Sequence, residues 1–108
     1  MNKNHRNTIF VENAKIISHQ AFEAGQYILR VHAPLCAEHA LAGSFVHIQC
    51  DPQLPMRRPI SIMRTSKQQG WVDLLYKIEG HGTQLLSKRQ NDETISIMGP
   101  IGTPFKSD

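Results

Sequence analysis

Residues 56–62 read Met56-Arg57-Arg58-Pro59-Ile60-Ser61-Ile62 and put two cations, a rigid corner and a small hydroxyl close together. Arginine offers a fixed guanidinium fork that matches phosphate oxygens. Pro59 locks its own φ and turns Arg58 away from helical geometry. Ser61 can donate or accept a hydrogen bond, and Ile60, Ile62 and Met63 continue as a strand. The set suits a ligand with an anionic end and a flat, hydrogen-bonding end. A second stretch, Glu79-Gly80-His81-Gly82-Thr83, follows an apolar run at 72–78 and precedes Gln84-Leu85-Leu86-Ser87. It reads as strand, glycine turn and helix start, where free backbone N–H groups receive anions and glycine lets a phosphate come close. A third stretch, Met98-Gly99-Pro100-Ile101-Gly102-Thr103-Pro104-Phe105, lies near the end.

Singly, these residues have ordinary readings too. Arg57 and Arg58 can be solvated charges beside a turn, Ser61 a plain strand serine, and His81 a spectator between its glycines. Cys36-x-x-His39 and His47-x-x-Cys50 have zinc-ligand spacing. On a strand, however, a separation of three sends His47 and Cys50 to opposite faces, so the expectation is a buried Cys50, an exposed His47 and no metal. No nucleophile–base pair supports hydrolase chemistry. The formal charge is +3, and basic residues pair only at His5-Arg6, Arg57-Arg58 and Lys88-Arg89; a nucleic-acid face needs a basic stripe with aromatic interleaving. No run approaches the ~18–20 apolar residues of a membrane span. Residues 1–8 are polar and lack a signal-peptide core. Two cysteines make no disulfide framework. A reduced, cytoplasmic setting with neither membrane nor nucleic acid as partner is therefore expected.

The elements that must hold these residues are short. A chain of 108 residues, 40% hydrophobic, fits one domain with one core. Residues 1–8 are expected as a loose arm. Strands are expected at 9–19, 27–33, 45–50, 59–65, 71–78 and 94–98. Alternation is clearest at 27–33, where Tyr27, Leu29, Val31 and Ala33 face in and Arg30 and His32 face out. Val72, Leu74, Tyr76 and Ile78 share a face in the same way. Pro34 ends its strand, and residues 35–44 read as a connection. One helix is expected, at 83–88, with Thr83 as its N-cap. Gly99 and Pro100 should stop the last strand at Met98. Six short strands with turn signals between them predict an all-β fold, a closed antiparallel barrel.

In chain order, Arg58-Pro59-Ile60-Ser61, then Gly82-Thr83, then the run from Gly99 to Phe105 resemble the flavin domain of the ferredoxin reductase family. Within that family the likeness is greatest to the dihydroorotate dehydrogenase electron-transfer branch, and it runs from Ala14 onward. The resemblance implies a six-stranded Greek-key β-barrel with one short helix that binds FAD. Arg58 would meet the phosphates, and Pro59, Ile60 and Ser61 the flavin ring, with Ser61 near its reactive nitrogen. Ile60 replaces the aromatic residue of many members, which fits the dihydroorotate dehydrogenase branch. Leu75, Tyr76 and Lys77 would hold the cofactor largely through their backbone, and Gly82 and Thr83 would open the helix under the pyrophosphate. The implied role is electron transfer between a nicotinamide nucleotide and a second redox centre, in pyrimidine biosynthesis, beside a catalytic dehydrogenase subunit or another redox protein. NAD(P)H and a 2Fe-2S cluster are implied only if further parts accompany this chain, because it has no Gly-x-Gly-x-x-Gly and no cysteine quartet. The expected organisation is an arm at 1–8, a flavin barrel at 9–99 and the start of a linker at 100–108. A ferredoxin or flavodoxin reductase, a hydrogenase subunit, or a barrel adaptor that has lost flavin are the other readings.

Overall fold

The alternation that marks residues 27–33 becomes a strand of a closed barrel in the computed structural model, which describes residues 9–102. The arm expected over 1–8 and the end of the chain, including Thr103, Pro104 and Phe105, lie outside the described residues. The strands are β1 (Phe10–Ala21), β2 (Gln26–His32), β3 (Phe45–Ile48), β4 (Arg58–Ser66), β5 (Trp71–Lys77) and β6 (Thr94–Ile101). Two short helices, α1 (Pro34–His39) and α2 (His81–Leu86), and a 3₁₀ turn at Glu23–Gly25 complete the order. The barrel closes as β1-β2-β5-β4-β3-β6 with every pairing antiparallel. β3, β4 and β5 follow one another as neighbours and β6 returns through α2 to lie beside β3, a Greek key. The all-β class, the six strands and the closure are as expected.

Inward positions make one apolar core. Ala14 and Ile16 of β1, Leu29 and Val31 of β2, Val46 and Ile48 of β3, Ile60 and Ile62 of β4, Val72, Leu74 and Tyr76 of β5, and Ile95 and Ile97 of β6 are buried. Val11 lies on the outer face of β1 opposite Met98, and Ala14 and Ile16 take the inward places. A register shift between Ile16 and Ser18 leaves Ile17 exposed.

Three local expectations need correction. Residues 34–39 form α1 rather than a plain connection. Pro34 stands at the first helical position, where its missing N–H costs nothing. Two backbone donors of that turn, Leu35 N–H and Cys36 N–H, are taken by the Glu12 carboxylate of β1 at 3.2 and 2.7 Å. Second, β6 continues through Gly99 and Pro100 to Ile101, which pairs with Phe45. A register shift between Phe45 and His47 lies opposite this segment, the setting in which a sheet tolerates proline. Gly99 also permits close approach, since a Cβ there would lie 2.9 Å from Val46 Cγ1. Third, α2 begins at His81 with Gly80 as its N-cap, so Thr83 lies inside the first turn. Gly80 has φ +88, a conformation natural to glycine.

The helices close opposite ends of the barrel. α1 follows β2 and packs against the end of β4, where Thr65 Oγ1 donates to Ala37 O. α2 follows the end of β5 and adds Leu86 to the core. The end carrying α2 is where the candidate site lies.

Candidate functional site

β4 and β5 pair with Ser61 opposite Leu75. This register sets the start of β4 beside the end of β5, and the chain then turns through Gly80 into α2. A cleft of about 150 Å³ opens there, lined by Arg58, Pro59, Ile60, Ser61, Leu75, Tyr76, Lys77, Glu79 and Thr83. It brings together all the residues that the resemblance assigns to the cofactor except Gly82, and it adds Glu79. Glu79 is absent from the sequence-derived set because its place on the cleft follows from the turn geometry, not from its type.

Each residue reaches the cleft differently. Pro59 and Ser61 are exposed on the outer face of β4, and Leu75 and Lys77 on the outer face of β5. Ile60 and Tyr76 belong to the inner face and are 5% exposed. The Tyr76 side chain is committed elsewhere: it stacks on Tyr27 at 5.2 Å between ring centroids and hydrogen-bonds His19 Nε2 at 2.7 Å. His19 Nδ1 lies 2.9 Å from Arg89 O, which can only accept, so Nδ1 carries the proton and the Tyr76 hydroxyl donates to Nε2. Burial, and then the neighbouring Tyr27, push the Tyr76 hydroxyl pKa well above its ordinary value. Tyr76 therefore offers the cleft its backbone.

The two arginines separate clearly. Arg57 is fixed to the barrel, donating to His47 O at 3.2 Å, Ser96 O at 3.3 Å and Ser96 Oγ at 2.9 Å. Arg58 has no hydrogen bond or ion pair among the described residues. Its side chain crosses the glycine turn: a Cβ built on Gly82 would lie 3.5 Å from Arg58 Cγ, and one on Gly80 4.0 Å from its Nη1. The guanidinium thus sits over the start of α2, where the first N–H groups have no intrahelical partner and no side chain caps them. The Thr83 hydroxyl holds this turn, accepting from Glu79 N–H at 2.6 Å. Thr83 is 3% exposed and acts on the cleft by fixing its floor. An unpaired guanidinium, free amides and a Cβ-free turn fit a phosphate; an exposed serine hydroxyl on a flat sheet face fits a planar ring with polar edges.

On the other side of Arg58 lies an apolar hollow of about 340 Å³ lined by Cys50, Leu54, Pro55, Met56, Arg58, His81 and Gly82. His81 therefore borders this hollow rather than the cleft. Burial raises the Cys50 thiol pKa, against the opposing pull of Arg58. The Cys36 thiol is pushed up to about 12, chiefly by burial and then by Glu12. Neither cysteine is a thiolate at neutral pH.

Against known proteins, the family model described as an oxidoreductase FAD-binding domain matches residues 9–105. The chain belongs to this family. This FAD-binding domain is also 36% identical over 99 residues to the dihydroorotate dehydrogenase B (NAD(+)) electron transfer subunit of Desulforamulus reducens, covering 88% of the chain and 37% of that protein. The subunit of the same name from Geobacillus sp. is 36% identical over 101 residues, covering 90% of the chain and 38% of the relative. The FAD-binding domain thus spans less than two fifths of the length of these relatives. Among solved structures, an NADH-dependent reduced ferredoxin-NADP oxidoreductase superposes with a TM-score of 0.80 at 24% identity, over 88% of this chain and 34% of that one. A ferredoxin reductase of carbazole 1,9a-dioxygenase superposes with a TM-score of 0.71 at 20% identity, over 87% and 30%. These likenesses establish the ferredoxin reductase-type barrel. Among the described residues, no helix is long and apolar enough to cross a membrane.

Proposed function

We propose that this barrel holds FAD for an electron-transfer flavoprotein of the dihydroorotate dehydrogenase B type. The observation that carries the reading is Arg58, a guanidinium with no protein partner among the described residues, placed over a glycine turn and a helix start at one end of the cleft. In this reading Arg58 and the backbone of Gly82 and Thr83 bind the pyrophosphate. Pro59, Ile60 and Ser61 of β4 and the backbone of Leu75, Tyr76 and Lys77 of β5 position the ring, and the Ser61 hydroxyl offers it a hydrogen bond. When bound, the flavin supplies the hydride and one-electron chemistry. The protein's part is to bind and orient it and to set the polarity along its edge.

The relatives' names support a catalytic dehydrogenase subunit as the partner and pyrimidine biosynthesis as the setting; the proposed compartment is the cytoplasm. In this reading a nicotinamide nucleotide and a 2Fe-2S cluster enter only with further parts that accompany the barrel. Residues beyond β6 are proposed to lead towards them. The test is an absorption spectrum of the purified chain with added FAD. A shifted flavin band and a raised melting temperature, larger for FAD than for FMN, are expected. No spectral change and no stabilisation would leave a barrel adaptor without flavin.

A further inference from the structure

On the outer face, β3 lies beside the strand β4 that walls the cleft. Phe45 pairs directly with Ser61, and Ser61 with Leu75. Directly opposed residues share a face, so Phe45, Ser61 and Leu75 form one row across three adjacent strands. Phe45 is 41% exposed and Leu75 40%, while Ser61 between them is also exposed. A large aromatic and a leucine left open on either side of a hydroxyl are ill-suited to water, and the barrel core has no place for them. Two strand spacings span about 10 Å, close to the long axis of a three-ring isoalloxazine. Phe45 also borders the point where β6 ends, as a Cβ on Gly102 would lie 3.8 Å from its ring.

We infer that Phe45 is a ring-contact residue for the flavin: the isoalloxazine lies across β3, β4 and β5, with Leu75 under one end, Ser61 at its middle and Phe45 against the other. This rests on the FAD reading above and adds a residue and an orientation to it. The ring then runs along the row of paired residues rather than down the strands. Its far edge reaches β3, beside the end of β6.

Three variants test it in the 108-residue chain, titrated with FAD. Phe45→Ala should weaken FAD about threefold to tenfold through loss of aromatic contact. It should leave the salt dependence of binding unchanged, because no charge is removed. Phe45→Tyr should restore affinity. Phe45→Trp should shorten the fluorescence lifetime of the bound flavin below that of the wild-type complex, since an indole in van der Waals contact quenches it. Phe45 is exposed, so a melting temperature of the ligand-free variants close to wild type checks the fold. Wild-type binding with an unchanged Phe45→Ala affinity, or Phe45→Trp without added quenching, overturns this placement alone. Wild-type protein that does not bind FAD overturns the cofactor reading and the placement with it.

Discussion

Replacing Arg58 with alanine should separate ligand binding from stability, because the protein itself makes so little use of this side chain. Arg58 has no polar partner among the described residues, and it lies across two glycines, with Cγ 3.5 Å from where a Cβ on Gly82 would stand. The melting temperature without ligand should therefore stay near wild type, as for a surface change of about ±0.5 kcal/mol. Binding is different. A hydrogen bond to a charged group contributes ~1.5–3 kcal/mol, and the side chain is half-buried, so solvent screens it only in part. Loss of one such contact lowers FAD affinity about tenfold to a hundredfold, at ~1.4 kcal/mol per factor of ten. Arg58→Lys should recover only part, because an ammonium lacks the fork. Arg57→Ala is the control: it breaks the bonds to His47 O and to Ser96 O and Oγ. It should cost about 1–3 kcal/mol of stability while the folded fraction keeps its FAD affinity. Titration by flavin fluorescence and urea unfolding measure both halves. An unchanged affinity in Arg58→Ala, or a ligand defect in Arg57→Ala at full stability, would refute the assignment of the two arginines.

Three further outcomes are expected. Thr83→Val leaves Glu79 N–H without its 2.6 Å acceptor, which should cost about 1–2 kcal/mol and be largely restored by Thr83→Ser, read by urea midpoints. Asp73 is 1% exposed and paired with Arg30 at 2.7 Å and Arg64 at 3.2 Å, and Arg30 also lies over the Trp71 ring. Asp73→Ala should destabilise by about 2–3 kcal/mol, at the low end for a buried carboxylate because both arginines can turn to water; melting curves check it. The Cys36 thiol titrates near 9.0 ordinarily and about 12 here, so its stabilising effect is complete below 9.0 and is lost as pH rises towards 12. Cys36→Ala should flatten the alkaline fall in unfolding free energy, and an equally steep fall in the variant would exclude Cys36 as a cause.

What the sequence made legible was what depends on local pattern. β2 and β5 show their alternation in Tyr27, Leu29 and Val31 and in Val72, Leu74 and Tyr76, and the core adopts it. The cleft was legible because its residues fall in short contiguous runs that one strand pairing brings together. What escaped depends on partners distant in sequence. α1 is only six residues long, too short for a helical period, and its free amides are met by Glu12. Gly99-Pro100 reads as a stop, yet the shift in β3 lets the strand run on. Arg57 and Arg58 are identical in type, and only His47 and Ser96 decide which is structural. Thr83 has the residue type of a cap, but the φ of +88 available to Gly80 starts the helix earlier.

The seam between β1 and β6, running from Phe10 opposite Gly99 to Lys15 opposite Thr94, has a consequence for biosynthesis. A ribosome delivers β1 first and β6 last. At about 5–20 residues per second, β1 waits for seconds with one side of its backbone unpaired. During that time the growing chain is an open sheet whose β1 and β3 edges both lack a neighbour, the arrangement most prone to pairing with another chain. Charges at Glu12 and Lys15 on β1 are the kind of residue that blunts such an edge. Any version of this chain cut before residue 94 would keep both edges permanently, and would be expected to associate with itself rather than fold alone.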